Sequence, residues 1–217
     1  MRRLRAGLTV WVTAVFLAAG VPAQPPAESP SPFTVVLAPS ATSIHWTLNT
    51  TLHTVHGTFQ LKNGSFHVDP ATGDCSGLIV IDATSGESGD SARDGRMHKV
   101  ILESARYPEI TYRPAHVSGR IDLASGGTVT VEGTFTMHGQ SHSLPLTVAI
   151  QPNGTGGAKL STSFTVPFVG WGLKDPSTFI FRTDKQVVLN VEAGFVPVAE
   201  QTPARPVLKP SEVHTAR

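Results

Sequence analysis

Apolar and polar residues alternate along most of the middle of the chain. In the clearest run, Val129, Val131, Phe135 and Met137 are separated by polar residues and one glycine. Successive side chains on a β-strand point to opposite faces of the sheet, so this period of two predicts a half-buried strand. A second alternating run places Leu144, Leu146, Val148 and Ile150 on one face. The Gly139-Gln140 pair between the runs predicts a hairpin turn, with both apolar sets facing the same side.

The same alternation predicts strands on both sides of this hairpin. The apolar sets that it selects are Ile44, Trp46 and Leu48; Val55, Phe59 and Leu61; Ile79 and Ile81; Val117, Ile121 and Leu123; Leu160, Phe164 and Val166; and Val187, Leu189 and Val191. Many strands with polar outer faces and a single helix are best accommodated by a closed sheet, because a barrel has no free edges that helices must cover. We therefore predict an all-β fold, an antiparallel β-barrel.

One segment, from about Asp90 to Glu103, has a helical pattern. Ser88 or Asp90 can serve as its N-cap, whereas Gly95 weakens the helix. Three apolar residues share one predicted face: Met97, Val100 and Ile101. The Arg93-Asp94 pair within the segment has two interpretations. It is either a solvated surface pair, worth less than about 1 kcal/mol, or a partly buried pair that holds the helix across a barrel end.

The ends of the chain differ in composition from the middle. Residues 1–23 have the pattern of a signal peptide, with three arginines, an apolar run from Leu8 to Ala19 and the small-residue site Val21-Pro22-Ala23. The apolar run is shorter than the about 20 residues of a membrane-spanning helix, so we predict cleavage and export to the periplasm or the medium. Residues 24–32 form a Pro-rich linker and 196–217 a Pro-rich tail, both expected to be disordered. One domain, 33–195, remains.

Charge and cysteine content argue against a nucleic-acid-binding protein and against a disulfide-stabilised domain. Loss of residues 1–23 would change 17 basic and 16 acidic residues to 14 and 16, a net charge of −2. No basic surface is then expected to attract nucleic acid. Cys75 is the only cysteine, so an intrachain disulfide cannot stabilise the domain.

Three segments resemble a known family. The first, Ala83 to Pro114, combines a Ser-rich strand end, the Arg93-Asp94 pair, a short helix and Tyr107-Pro108. The second is HTVHGTF, His53 to Phe59, followed by Gly64 and Asp69-Pro70, and the third is the hairpin from Val131 to Val148. Together they are similar to the YceI-like family of secreted, polyisoprenoid-binding proteins. The resemblance implies a lipocalin-like barrel of about eight strands, one short helix near a barrel end, and an isoprenoid chain held inside.

We predict that the ligand is an isoprenoid or similar amphiphilic lipid, bound by the inner face of the barrel. Strand parity and the resemblance select these ligand-binding residues: Trp46, Val55, Phe59, Ile79, Ile81, Met97, Ile101, Phe135, Met137, His142, Leu144, Leu146, Phe164 and Trp171. His142 is placed at the barrel mouth, near a polar head group. Trp171 either caps a barrel end, touches a membrane or, as we prefer, packs on its own barrel.

Glycines at predicted inward positions have two interpretations. Gly57, Gly77, Gly119 and Gly133 could leave room for a ligand inside the barrel, but glycine in a strand also marks bulges and bends.

The residues that could support catalysis or bind a metal do not form a recognisable motif. Ser141-His142-Ser143 are adjacent only in sequence, and a nucleophile needs a base beside it in space. His53 and His56 are three apart on a strand and so point to opposite faces, while His138 and His142 have no third ligand nearby. We predict a protein that is not an enzyme, with no cofactor and no bound metal.

Other functions stay open at this stage. A filled barrel could act as an interaction or stress-response module, and the nine histidines leave a metal- or haem-binding redox accessory as a further alternative. A transient membrane contact, and a homodimer formed through an exposed strand edge, are also compatible with the sequence.

Overall fold

The computed structural model describes residues 31–154, 156–179, 182–195 and 198–199. The predicted signal peptide lies outside these residues, as do most of the predicted linker and tail. Within the described ranges, no helix is both long and apolar enough to cross a lipid bilayer.

The described residues form one antiparallel sheet of eleven strands. The strands are β1 Phe33–Leu37, β2 Thr42–Asn49, β3 Thr54–Val68, β4 Cys75–Glu87, β5 Glu109–Ser118, β6 Gly127–Met137, β7 Gln140–Ser143, β8 Leu146–Pro152, β9 Ala158–Val166, β10 Val187–Phe195 and β11 Val198–Ala199.

The sheet closes because β3 pairs with β2 on one edge and with β4 on the other. This gives a barrel of eight strands in the order β3, β2, β10, β9, β8, β6, β5, β4. The three remaining strands extend their neighbours: β1 lies before β2 on the same edge of β3, β7 pairs with β6, and β11 pairs with β1. The predicted antiparallel barrel of about eight strands is confirmed.

Two strands of the barrel are interrupted where proline occurs. A 3₁₀ turn, Pro39–Ala41, separates β1 from β2, and Leu144-Pro145 separates β7 from β8. Proline has no N–H to donate to a neighbouring strand, so the hydrogen-bond ladder breaks at these points.

The predicted hairpin between β6 and β7 is present, but its turn lies one residue earlier than expected. Met137 pairs with Gln140, so the turn residues are His138 and Gly139, with φ values of 53° and 73°. Two positive φ values in a two-residue turn match the right-handed twist of the strands that it joins.

The helix lies between β4 and β5 and is shorter than predicted. It consists of α1, Ser91–Arg96, followed by a π-helical turn, Met97–Ile101. Asp90 is the N-cap, since its side chain accepts a hydrogen bond of 2.9 Å from the backbone N–H of Arg93. Val100, which the pattern placed on the same helix face as Met97 and Ile101, is exposed. Met97 and Ile101, four residues apart, face the barrel interior.

Candidate functional site

The interior of the barrel contains two apolar cavities. The helix-end cavity has a volume of about 330 Å³ and lies beneath α1 and the π-helical turn. The base cavity has a volume of about 160 Å³ and lies between the strand halves farthest from the helix. Phe135, only 2% exposed, lines both cavities and is the one described residue that does so. The two spaces are therefore neighbouring compartments, with the Phe135 ring at the boundary that they share.

Most of the ligand-binding residues predicted from sequence line these compartments. Around the helix-end cavity lie Trp46, Val55, Phe59, Met97, Ile101, Phe135 and Met137. Around the base cavity lie Ile79, Ile81, Phe135, Leu146 and Phe164. Their role as ligand contacts stays a prediction, but the structure brings them together on the inner face that strand parity indicated.

Three predicted residues line neither cavity. His142 stacks on Trp171, with ring centroids 4.0 Å apart and an angle of 4° between the ring planes. Trp171 also packs against Phe135 at 5.7 Å, so the loop that carries it packs on its own barrel. The Leu144 carbonyl accepts a hydrogen bond of 3.0 Å from the Tyr112 hydroxyl. These residues support the wall beside Phe135 rather than the cavity surface.

The four glycines do not enlarge the cavities. At Gly57 the indole of Trp46 occupies the space that a Cβ would need, and at Gly133 a Cβ would lie 2.6 Å from the Tyr112 ring. Gly77 and Gly119 are exposed. Gly57 and Gly133 therefore make room for the protein's own aromatic side chains.

Sequence reasoning missed two cavity-lining cations, Arg93 and Arg96. They are the charged residues of the helix-end lining, and no carboxylate belongs to that lining in the described part of the chain. Arg93, Met97 and Ile101 follow each other at intervals of four, which places them on one helix face. This interval of four, counted back from Met97 within a helix that begins after Asp90, was the signal that could have revealed Arg93.

Two buried polar atoms that belong to cavity-lining residues have no hydrogen-bond partner among the described residues. They are Nε1 of Trp46, which lines the helix-end cavity, and Oγ1 of Thr162, which lines the base cavity. A buried unpaired polar group is uncommon in proteins because its desolvation is uncompensated. Both compartments thus combine an apolar lining with an unused hydrogen-bonding atom.

A family model for the YceI-like domain matches residues 36–195. The chain belongs to the YceI-like family. Among solved structures, this YceI-like barrel is similar to BcnA of Burkholderia cenocepacia, with a TM-score of 0.58, 16% identity, and coverage of 73% of this chain and 98% of that one. It is also similar to a polyisoprenoid binding domain from Saccharophagus degradans, with a TM-score of 0.55, 16% identity, and coverage of 76% and 98%. The search of curated proteins found no match.

The Arg-Asp pair of this YceI-like chain fastens the helix to the end of β4. Arg93 donates from Nε to the Ser88 hydroxyl at 2.7 Å and from Nη2 to the Ser88 carbonyl at 3.1 Å. The same hydroxyl donates to Asp94. The pair is partly buried and bridged by Ser88, so the interpretation that it holds the helix across the barrel end is the one that the contacts favour.

The helix and the π-helical turn, residues 91–101, cover the helix-end cavity and are called the lid below. Further hydrogen bonds attach this lid to the rest of the barrel. The His98 ring donates from Nε2 to the Gly86 carbonyl at 2.8 Å, while its Nδ1 lies 3.0 Å from the Ser104 hydroxyl. Arg96 donates to the Pro176 carbonyl at 3.3 Å. Because these bonds connect the helix to β4 and to the loop after β9, access to the helix-end cavity depends on three segments of chain.

Two other potentially reactive groups, the Cys75 thiol and the Tyr112 hydroxyl, are buried. Burial raises the pKa of the Cys75 thiol to about 11, so the thiolate that a nucleophile requires is scarce at neutral pH. Burial also raises the pKa of Tyr112, whose hydroxyl bonds the Val131 and Leu144 carbonyls. No group of three or more potential metal ligands occurs in the described ranges.

Glu103 connects the turn after the helix to two other loops. Its carboxylate lies 3.1 Å from Nε2 of His138 and 3.6 Å from Nζ of Lys174. The hydrogen bond from His138 and the charge of Lys174 hold the pKa of Glu103 below its ordinary value of 4.5.

This lowered pKa predicts acid sensitivity at the lid. A carboxylate with a lowered folded-state pKa stabilises the fold above its unfolded-state pKa, and the contribution is lost as pH falls through the folded value. We expect the melting temperature to fall on acidification below about pH 4.5, and Glu103→Gln to weaken that dependence. Thermal unfolding across the acidic range measures it. Glu132→Gln, at an exposed strand position, is the control, and identical curves for wild type and Glu103→Gln would contradict the prediction.

Proposed function

We propose that this YceI-like protein is exported and binds an isoprenoid or similar amphiphilic lipid inside its barrel, without catalysing a reaction on it. The observation that carries the proposal is the pair of apolar compartments within a closed barrel. The name of the Saccharophagus degradans neighbour, a polyisoprenoid binding domain, supports the same ligand class. In this function the protein sequesters, carries or presents the lipid.

The energetics favour a ligand with several isoprene units. Each buried methylene contributes about 0.8 kcal/mol and an isoprene unit roughly 3 kcal/mol, whereas association costs about 4 to 15 kcal/mol. A short prenyl chain that fills part of one compartment therefore binds weakly. A chain that buries several units in the helix-end cavity, with Phe135 at the far wall, gains enough burial to bind tightly.

The cavity linings also suggest an orientation for the ligand. The cationic side chains Arg93 and Arg96 are at the helix end, while the base lining contains no charged residue among those described. A polar head group is thus expected at the helix end, with the tail directed towards the base.

The first experiment is to identify what the protein carries. We would purify it from the exported fraction under native conditions, determine its N-terminus, and analyse an organic extract by mass spectrometry. We expect a chain that begins at Gln24 and a prenyl lipid at near-stoichiometric amount. An uncleaved N-terminus would contradict the proposed export. Absence of lipid, together with no uptake of an added long prenol, would contradict the binding function and favour an interaction module.

A further inference from the structure

Three segments surround the helix-end cavity and form its rim, which we define as Thr50–His53, Asp90–Ile101 and the described residues of 176–183. The backbone N–H of Thr51 donates to the Arg182 carbonyl at 2.9 Å, and Thr50 forms a β-bridge with Thr183. Arg96 links the helix to Pro176 at 3.3 Å. The three segments are therefore attached to one another.

The rim carries large apolar side chains that point into solvent. Phe179 is fully exposed, Leu52 is 68% exposed and Val100 is 37% exposed. The other large exposed apolar residues in the described part of the chain, Val36 and Val198, lie on the paired strands β1 and β11. Exposed aromatic and aliphatic side chains around an opening are typical of a binding surface.

The rim is also cationic where it borders the cavity. Arg93 and Arg96 line the opening, and Arg182 is exposed on the adjoining loop. The carboxylates on or beside these segments accept hydrogen bonds from their own chain: Asp90 from Arg93, Asp94 from Ser88, Asp175 from Ser177 and Asp184 from Asn49. Arg93 and Arg96 border the cavity opening, and no carboxylate belongs to the described lining there, so their guanidinium groups can meet an anionic head group.

We propose that this rim docks on the surface of a lipid bilayer that contains anionic lipids, with Phe179 and Leu52 inserted and Arg96 and Arg182 at the head groups. The inference rests on the proposed function, because a long prenyl chain that crosses water exposes every methylene that the bilayer had buried. When the mouth of the cavity contacts the bilayer, the prenyl chain can enter the barrel without being exposed to water. Trp171, for which membrane contact was an alternative interpretation of the sequence, is not part of this rim, because it packs on His142 and Phe135.

Vesicle binding tests the surface directly. Protein purified from the exported fraction is sedimented with neutral vesicles and with vesicles that contain anionic phospholipid. Phe179→Ser and Leu52→Ser should each weaken binding to both vesicle types, by about tenfold if the side chain is fully inserted. Arg96→Gln and Arg182→Gln should each weaken binding about fivefold on anionic vesicles at low salt and leave neutral vesicles unaffected.

Matched controls lie outside the rim. Val36→Ser removes an apolar residue that is 50% exposed on β1, and Arg120→Gln removes a cation with an 88% exposed side chain after β5. Neither should change vesicle binding. If the rim and control variants lose vesicle binding to the same extent, the proposal is overturned. It would also be overturned by rim variants that bind vesicles normally but change the mass of the particle in solution, because the surface would then meet a second copy of the chain.

A second measurement separates this inference from the proposed function. Phe179→Ser, Leu52→Ser and Arg182→Gln, which change residues outside the cavity linings, should extract a long prenol from vesicles more slowly than wild type, yet bind the same prenol with unchanged affinity when it is delivered in detergent. Normal extraction by the rim variants would overturn the docking surface alone. Failure of wild type to bind detergent-delivered prenol would overturn the proposed function and the docking rationale together.

Discussion

Replacing Val187 with tryptophan should strongly weaken the binding of long prenols while leaving the fold intact. Val187 is partly buried at the start of β10 and lines the helix-end cavity. An indole at this position would occupy space that we assign to an isoprene unit. Loss of that burial, roughly 3 kcal/mol, corresponds to about a hundredfold weaker binding. Because the side chain enters existing space, the overpacking that normally destabilises a core is reduced.

The neighbouring residue provides the control for this variant. Val188 follows Val187 on the same strand but lines neither cavity, as expected from the alternation of side chains across a sheet. Val188→Trp should therefore bind prenol as wild type does. Titration of a fluorescent or radiolabelled prenol measures both affinities, and thermal unfolding checks the fold. If both tryptophan variants bind normally, the helix-end cavity is not the ligand site.

Replacing Phe135 with alanine should destabilise the empty protein and alter its preference for chain length. Phe135 is 2% exposed and packs edge-on against Phe164, with centroids 6.1 Å apart. Removing a buried phenyl ring costs about 3 to 5 kcal/mol of unfolding free energy. With the ring gone, the two compartments become continuous. We expect affinity to keep rising with chain length in Phe135→Ala beyond the length at which wild type levels off.

Urea unfolding and a prenol length series measure these two effects. A bound long chain should return part of the lost stability, because a ligand that binds only the folded state shifts the unfolding equilibrium. Phe164→Ala, which removes the same ring from the lining of the base cavity alone, is the comparison. The role of Phe135 as the divider would be contradicted if Phe135→Ala lost less than about 1 kcal/mol of unfolding free energy. It would also be contradicted if prenol affinity depended on chain length in the same way in both variants.

The strand architecture could be predicted because alternation is a strong local signal. The inner residues of β6 and β8 follow strict parity, and the N-cap at Asp90 follows from side-chain chemistry. The position of the hairpin turn was wrong by one residue, since the turn consists of His138 and Gly139 rather than Gly139 and Gln140. The π-helical turn after Arg96 was not predicted, because no feature of the sequence distinguishes it from an α-helix.

The cavities could not be predicted, because they depend on how side chains from distant strands fill the interior. Parity placed His142 with the inner residues, yet its ring stacks on Trp171 outside both cavities. Gly57 and Gly133 were candidates for empty space, but aromatic rings from adjacent strands fill it. The division at Phe135 likewise arises from packing between elements. Sequence indicates which face of a strand is buried, and only the packed structure shows where that face leaves a gap.

The location of Trp46 gives the protein an internal optical reporter. The chain has three tryptophans; Trp11 lies within the predicted signal peptide, and Trp171 is stacked on His142 outside the cavities. Trp46 lines the helix-end cavity, and its indole Nε1 is buried with no hydrogen-bond partner among the described residues. After signal-peptide removal, Trp171→Phe would leave Trp46 as the single tryptophan, at the wall of the proposed binding site. Filling and emptying of the barrel could then be followed in real time through the emission of unlabelled protein.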